Sequence, residues 1–201
     1  MRQIFRPITD MIKMRIILLS LICYGFINPV YANDFEAALS SETAQFTFRS
    51  DSSLIGWGGA DLGFSLFYNE RNDFIGQVSL MQVRPASADT PLTLGVGVKA
   101  YVGELDSINQ NVLAMAIGGE IRYTIPGTMP MSVYFVGHIA PNITSFSDTE
   151  EVRDLLLGFQ IEILPQTIAF IGYRRFRVDT DVYNDYELDD DKLHIGVRLT
   201  F

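Results

Sequence analysis

The sequence has one cysteine in 201 residues, two histidines, one tryptophan and no apolar run long enough to cross a membrane as a helix. Each scarcity excludes something. A lone cysteine, Cys23, cannot form an internal disulfide, so no disulfide framework holds the chain together. Two histidines without a cysteine cluster rule out the common zinc-ligand spacings. A helical span needs about 20 apolar residues, which excludes a helical membrane protein. Basic residues are also too few: 15 Lys and Arg against 24 Asp and Glu give a net charge of -9, which argues against nucleic acid as a partner.

What the N-terminus does contain is an export pattern. Arg2, Arg6, Lys13 and Arg15 precede the largely apolar Ile16 to Phe26, and Pro29 precedes Val30, Tyr31 and Ala32. This order matches the basic, apolar and small-residue regions of a cleaved signal peptide, so residues 1–32 are expected to be removed after Ala32. Met14 would begin a more compact version of the same signal. A lipoprotein reading of Cys23 fails on Ile22, which stands where a small residue is needed. Without the leader, 11 basic and 23 acidic residues remain, a net charge of -12.

The rest of the chain is dominated by a two-residue alternation. Leu193, Ile195, Val197, Leu199 and Phe201 share one face, and Lys192, His194, Gly196, Arg198 and Thr200 the other. The same pattern runs through 58–69, 92–102, 113–125 and 154–163, and less cleanly through 73–84, 130–140 and 166–178. Period-two patterning over such lengths predicts β-strands, eight of them between residue 58 and the end, and no stretch reads as a helix.

Alternation suits a soluble sandwich or lipocalin-like barrel as well as a membrane barrel. The polar face separates them. Gly63, Gly95, Gly97, Gly118, Gly158 and Gly196 lie between its charges. Strand-interior glycine marks a close approach, and small residues mixed with charges fit the interior of a narrow barrel. The continuous apolar face then meets lipid. Eleven residues at ~3.4 Å each, tilted about 40°, rise roughly 28 Å, close to the ~25 Å apolar band of outer-membrane barrels.

The expected fold is therefore all-β, an antiparallel up-and-down transmembrane β-barrel of eight strands over residues 58–201, with ten as the alternative. Residues 33–57, including "AQFTFR" at 44–49, stay open: a periplasmic or luminal segment, or two further strands. Short turns at 84–91, 125–130 and 163–166 fit the periplasmic end, and longer acidic loops at 141–151 and 179–191 the extracellular end. This places Arg153 and Arg174 on the lipid face near the outer rim, where a charge costs ~0–1 kcal/mol rather than the ~2–4 of the midplane. The expected location is the outer membrane of a Gram-negative bacterium.

The stretches "GGADLGFSLFYN", "LTLGVGVKAYV", "LAMAIGGEIRYTI", "FIGYRRFRV" and "HIGVRLTF", in this order, resemble the YfaZ family of small Gram-negative outer-membrane proteins. "GVGVKAY" and "GYRRF" carry most of the likeness. Gly137 and His138, in "VYFVGHIAP", depart from the aromatic-rich strand of that family. The final strand ending in Phe201 is similar to the segment by which the outer-membrane assembly machinery recognises its substrates, which implies that machinery as a partner beside outer-membrane lipid and lipopolysaccharide. The resemblance implies a location and no activity, and no cofactor is expected.

Two constellations remain. The inner face is expected to gather Asp61, Lys99, Glu120, Arg122, Asp154, Glu162, Arg175, Arg177 and Arg198, with Lys192 nearby and Asp61 beside Arg198 if the last strand closes on the strand of residue 58. Opposite charges that satisfy one another inside a wall explain this set most simply, and a gated ion or solute path is the sharper alternative. His138 and His194 also fall on this face, with Asp154 in reach of His138 from the next strand, but no consistent nucleophile accompanies them, so catalysis by a lipid-modifying enzyme is the weaker reading. The second constellation is "DTDVYNDYELDDD". Asp179, Asp181, Asp185, Asp189, Asp190 and Asp191 form an acidic segment that reads first as a solvated loop and second as a cation site against lipopolysaccharide.

Overall fold

The computed structural model describes residues 33–52, 59–87, 90–127 and 129–201. The expected leader and Cys23 lie outside the described residues. Eleven strands follow in order: β1 (Asp34–Leu39), β2 (Thr43–Asp51), β3 (Asp61–Asn69), β4 (Phe74–Arg84), β5 (Leu92–Leu105), β6 (Gln110–Ile125), β7 (Met131–Ala140), β8 (Ser145–Ser147), β9 (Thr149–Leu164), β10 (Thr167–Thr180) and β11 (Tyr186–Thr200). All pairings are antiparallel. Ten strands close into a ring through β1 and β11, and the three-residue β8 lies along the upper part of β6, where β7 has already ended.

The barrel therefore has ten strands and not the eight favoured from sequence. The two extra strands come from the segment left open there. β1 is only six residues long and carries Ala37 and Ala38 side by side, which blunts its alternation. A three-residue turn joins it to β2, with the Ser40 hydroxyl accepting from the amides of Glu42 and Thr43. "AQFTFR" is the body of β2. Its Thr47 pairs with Glu36 on one side and Ser65 on the other.

Asn33 and Phe201 exchange two backbone hydrogen bonds of 2.9 Å, so both ends of the wall meet at one rim, called the lower rim below. Outward rows match the sequence expectation on β3, β5, β6, β9 and β11. Val96, Ile117, Leu193 and Ile195 are 64–69% exposed, and Phe64, Leu113, Met115, Ile121 and Leu157 join them in an unbroken apolar belt. Aromatic residues stand near both of its edges: Tyr68, Phe74 and Phe146 above, Tyr123 and Phe201 below.

The acidic segment is mostly not a loop. β10 runs up to Thr180 and β11 restarts at Tyr186, leaving five residues between, with Asp185 at φ 54° closing the hairpin. Asp and Asn tolerate this left-handed conformation better than other side chains, and Asn72 and Asn109 serve two other upper turns in the same way.

The interior is filled in two ways. In the upper half, Phe67, Ile75, Tyr101, Leu105, Val112, Val152, Phe176, Val178 and Leu188 are buried in one apolar cluster. Below it the lining turns polar. Here the strand glycines act as seats for rings: His138 lies over Gly118, Tyr134 over Gly158, His194 over Gly172 and Phe170 over Gly196, each so close that a Cβ at the glycine would collide with the ring. The close approach inferred from glycine in the sequence is made by the barrel's own side chains.

Candidate functional site: the lower lumen

Two adjoining cavities of about 130 Å³ each occupy the lumen beneath the apolar cluster. The upper one is lined by Thr43, Gln45, Lys99, His138, Asp154, Arg174, Asp189 and His194 among others, the lower one by Asp34, Asp61, Thr93, Arg122 and Arg198, and Arg49 and Glu120 border both. Alternation along each strand delivers these side chains inward, since residues two apart share a face.

Asp154 is the centre of the upper layer. Its carboxylate accepts from Lys99 Nζ at 2.8 Å, from Arg174 Nε at 3.0 Å and Nη2 at 3.1 Å, and from the Tyr101 hydroxyl at 3.1 Å. Arg174 also donates to Gln45, and its guanidinium stacks 4.7 Å from the Phe176 ring and 5.3 Å from that of Phe67. The arginine thus bridges the ionic layer and the apolar cluster above it. In the lower layer Glu36 accepts from Arg198 at 2.7 and 2.8 Å and from Arg49 at 3.1 Å, and Arg122 pairs with Glu120 at 2.6 Å.

The set expected from sequence is brought together in part. Lys99, Glu120, Arg122, Asp154 and Arg198 all line the lumen. Asp61 sits exposed at the lower mouth, and Glu162 falls on the Asp154 face of β9 near the lower rim. Arg198 closes on Glu36 and not on Asp61, because β1 and β2 stand between β11 and β3.

Arg174, Arg175 and Arg177 exchange faces relative to expectation. Arg174 is buried in the lumen, whereas Arg175 is exposed on the outside and Arg177 points outward to Glu187 at 3.1 Å and Asp185 at 3.7 Å. The reason is the apolar cluster: Phe176 and Val178 must face inward to join it, which carries Arg174 in and the other two out. Sequence reading also missed Glu36, Arg49 and Asp189. A repeat of the alternation in "DFEAAL" with Glu at its centre was the available signal for the first.

The six acidic candidates disperse. Asp179 and Asp185 bind Arg153 on the outer face, at 2.9 and 3.3 Å, and Asp181 is exposed. Asp189 is buried in the lumen, and Asp190 and Asp191 sit at a bulge of β11 between the pairs Arg174–Lys192 and Phe176–Asp189. Among the described residues no three His, Cys, Asp or Glu side chains are grouped to hold a metal ion. His138 and Asp154 are register partners on β7 and β9, as expected, yet no hydrogen bond joins them; Asp154 is engaged by its two cations and Tyr101.

Above the apolar cluster a second polar group ties the upper hairpins together. Asp73, fully buried, accepts from Asn69 Nδ2 at 2.9 Å and from the Tyr186 hydroxyl at 2.7 Å, and Ser107 binds the hydroxyl of Tyr186. The turn after β3, the turn after β5 and the start of β11 meet here.

No protein-family model matches the chain, and no curated protein does. Among solved structures, it is similar to the outer-membrane channel DcaP of Acinetobacter baumannii, with 11% identity and a TM-score of 0.39 over 83% of this chain and 54% of that one. The NanC porin is similar at 13% identity and a TM-score of 0.39, covering 86% of this chain and 99% of that one. The chain spans about half the length of the DcaP chain.

Proposed function

We propose that the protein is an outer-membrane β-barrel of a Gram-negative cell, closed at its outer end, with a structural or surface-interacting role. The observation that carries this is the direction of the two faces. In a soluble ligand-binding barrel the apolar rows turn inward; here they turn outward all round the wall and are exposed. A continuous apolar surface far beyond a few hundred Å² is not left in water by a soluble monomer. The outward charges Arg153, Arg175, Arg177 and Asp179 gather toward the upper end of β9 and β10, at the level where lipid head groups would lie. Outer-membrane lipid and lipopolysaccharide contact the belt, and assembly proceeds through the terminal strand ending in Phe201. The likeness of the motifs quoted above to the YfaZ family supports this reading.

The apolar cluster and the Asp73 group bear on the alternatives. A channel requires that the upper lumen be open, and side chains from eight of the ten staves fill it. A hydrolase of the His-Asp type requires a carboxylate that orients an imidazole, and among the described residues no hydrogen bond joins His138 or His194 to Asp154, which serves two cations and Tyr101.

The test has two parts. Membrane-fraction protein run with and without boiling in detergent should shift in mobility, as a closed barrel does; absence of the shift together with solubility in the periplasm would overturn the reading. In planar bilayers the folded barrel should give no discrete conductance steps, and regular steps would favour a channel.

A further inference from the structure

The wall has a step at its closing seam. β1 makes its last rung at Leu39–Ile195, and β11 runs on upward for nine residues, Tyr186–His194, with no strand beside them on that side. At ~3.4 Å per residue and a tilt of about 40°, the step is roughly 23 Å high. Where β7 stops short, β8 takes over its pairing with β6. The seam has no such substitute, and side chains span it instead. In order up the step, Lys192 pairs with Glu42, the Thr43 hydroxyl donates to Asp189 Oδ2 at 3.3 Å, Asn69 Nδ2 donates to the Leu188 carbonyl at 3.4 Å, Arg71 donates to the Glu187 carbonyl, and the Tyr186 hydroxyl donates to Asp73 at 2.7 Å.

The two ends of this stitching differ in strength. The top is held several times over: Asp73 is fully buried and also accepts from Asn69 Nδ2 at 2.9 Å, and the Arg71 guanidinium lies 4.8 Å from the Tyr186 ring. The bottom rests on Lys192 and Glu42, whose side chains are 31% and 41% exposed, and on a hydroxyl contact longer than the usual O–H···O bond. An ion pair open to solvent contributes little and is weakened by salt. The hairpin tip is anchored on its far side, where the Glu42 carbonyl accepts from the Glu70 amide at 2.9 Å. The parting line therefore runs between the tip and β11. Directly behind it lies the upper cavity, whose lining takes Ala38, Thr43 and Gln45 from the hairpin and Asp189 and His194 from β11. Above that cavity stands the apolar cluster, and the layer of Glu36, Arg49 and Arg198 lies between it and the lower mouth. On the outside, Leu39 and Leu193 are the topmost exposed apolar residues of β1 and β11, so the step opens at head-group level.

We infer that the step between β11 and the β1–β2 hairpin is a side door to the upper cavity, latched by Glu42 with Lys192 and backed by Thr43 with Asp189. Water and small polar solutes of the head-group layer exchange with the cavity through this door and not through the lower mouth. The door opens by parting side chains alone, since no backbone rung crosses it among the described residues. The inference goes beyond the membrane role proposed above: a heat-dependent gel shift tests the barrel, and the labelling rates below test the door.

The experiment places one thiol in the cavity and times its modification. Cys23 is the sequence's only cysteine, so Thr47→Cys in a Cys23→Ser background gives a single reporter, on a residue that lines the upper cavity and is 5% exposed. The barrel, folded in detergent and checked by its gel shift, is treated with 2-aminoethyl methanethiosulfonate. Glu42→Ala should speed labelling about two- to fivefold, the range expected for loss of an exposed ion pair. The reversed pair, Glu42→Lys with Lys192→Glu, should return the rate to its starting value, and added salt should speed labelling in the starting protein but not in Glu42→Ala. Thr93→Phe, which narrows the lower cavity, should leave the rate unchanged. If that variant does not fold, Glu42→Ala and the salt response decide. An unchanged rate in folded Glu42→Ala, no recovery in the reversed pair, slowing by Thr93→Phe, or no labelling in any variant overturns the inference.

Discussion

Two steps along a strand separate the apolar cluster of the upper lumen from the ionic layers beneath it. On β10 Arg174 belongs to the lower region and Phe176 to the upper, and on β5 Lys99 and Tyr101 divide in the same way. Both regions are built on identical backbone geometry, yet one is held by close packing and the other by paired charges. The difference lies in what removal of one side chain leaves behind. In the upper region it leaves a space into which neighbours relax; in the lower it leaves a buried charge without its partner. The lower half should therefore be the more brittle of the two.

The sharpest way to break this contrast is Asp154→Ala. It strands Lys99 and Arg174 together in the lumen and should cost about 3–5 kcal/mol, read from urea unfolding of the barrel in lipid vesicles. Replacing all three charges at once, as Asp154→Leu with Lys99→Met and Arg174→Met, should recover most of that loss, because it extends the apolar cluster downward. If the triple variant is no better than the single, the two regions do not differ in the way described.

Phe176→Ala tests the upper region and should cost ~3 kcal/mol, the low end for a buried aromatic, since Phe67 and Tyr101 flank it with ring centroids at 5.4 and 5.7 Å and can close part of the gap. The same unfolding assay reads it. Gly158→Ala probes the boundary below. Its new methyl group meets the Tyr134 ring, and about 1–3 kcal/mol should be lost with a change in the near-ultraviolet tyrosine circular dichroism. Smallest is Arg177→Ala on the outer face. Its pairs with Glu187 and Asp185 are half open to solvent, and the change should stay below ~1 kcal/mol.

The same contrast explains what could be read from the sequence. The outside of the wall faces one kind of environment, so its apolar rows on β3, β5, β6, β9 and β11 could be recognised residue by residue. The inside faces two. On β10 either face could be drawn as the apolar one: Ala169, Ile171 and Tyr173 on one side, Phe170, Phe176 and Val178 on the other. Choosing polar as inward put Arg175 and Arg177 on the wrong side. Lys99, Glu120, Arg122, Asp154 and Arg198 were legible because charges on otherwise apolar strands have one place to go. Glu36 was not, since a six-residue strand offers too few alternations to identify, and Arg49 was not, since it belongs to the segment 33–57 whose role the sequence left open. Asp189 was hidden inside an acidic run whose other members serve the outer surface, and only the bulge of β11 singles it out.

The clasp between Asn33 and Phe201 bears on how such a wall is assembled. Every other seam of the ten-strand ring joins successive staves, with only the short β8 intervening between β7 and β9, but β1 and β11 bring together Glu36 and Arg198 from 162 residues apart. Six residue pairs hold that seam, as many as join β1 to β2, against fourteen between β5 and β6. Closing a loop of this size costs roughly 4–5 kcal/mol in chain entropy before any rung is made. Because this seam must offset that cost, it is expected to close last and to open first, and the ion pair of Glu36 with Arg198 sits where that closure is made.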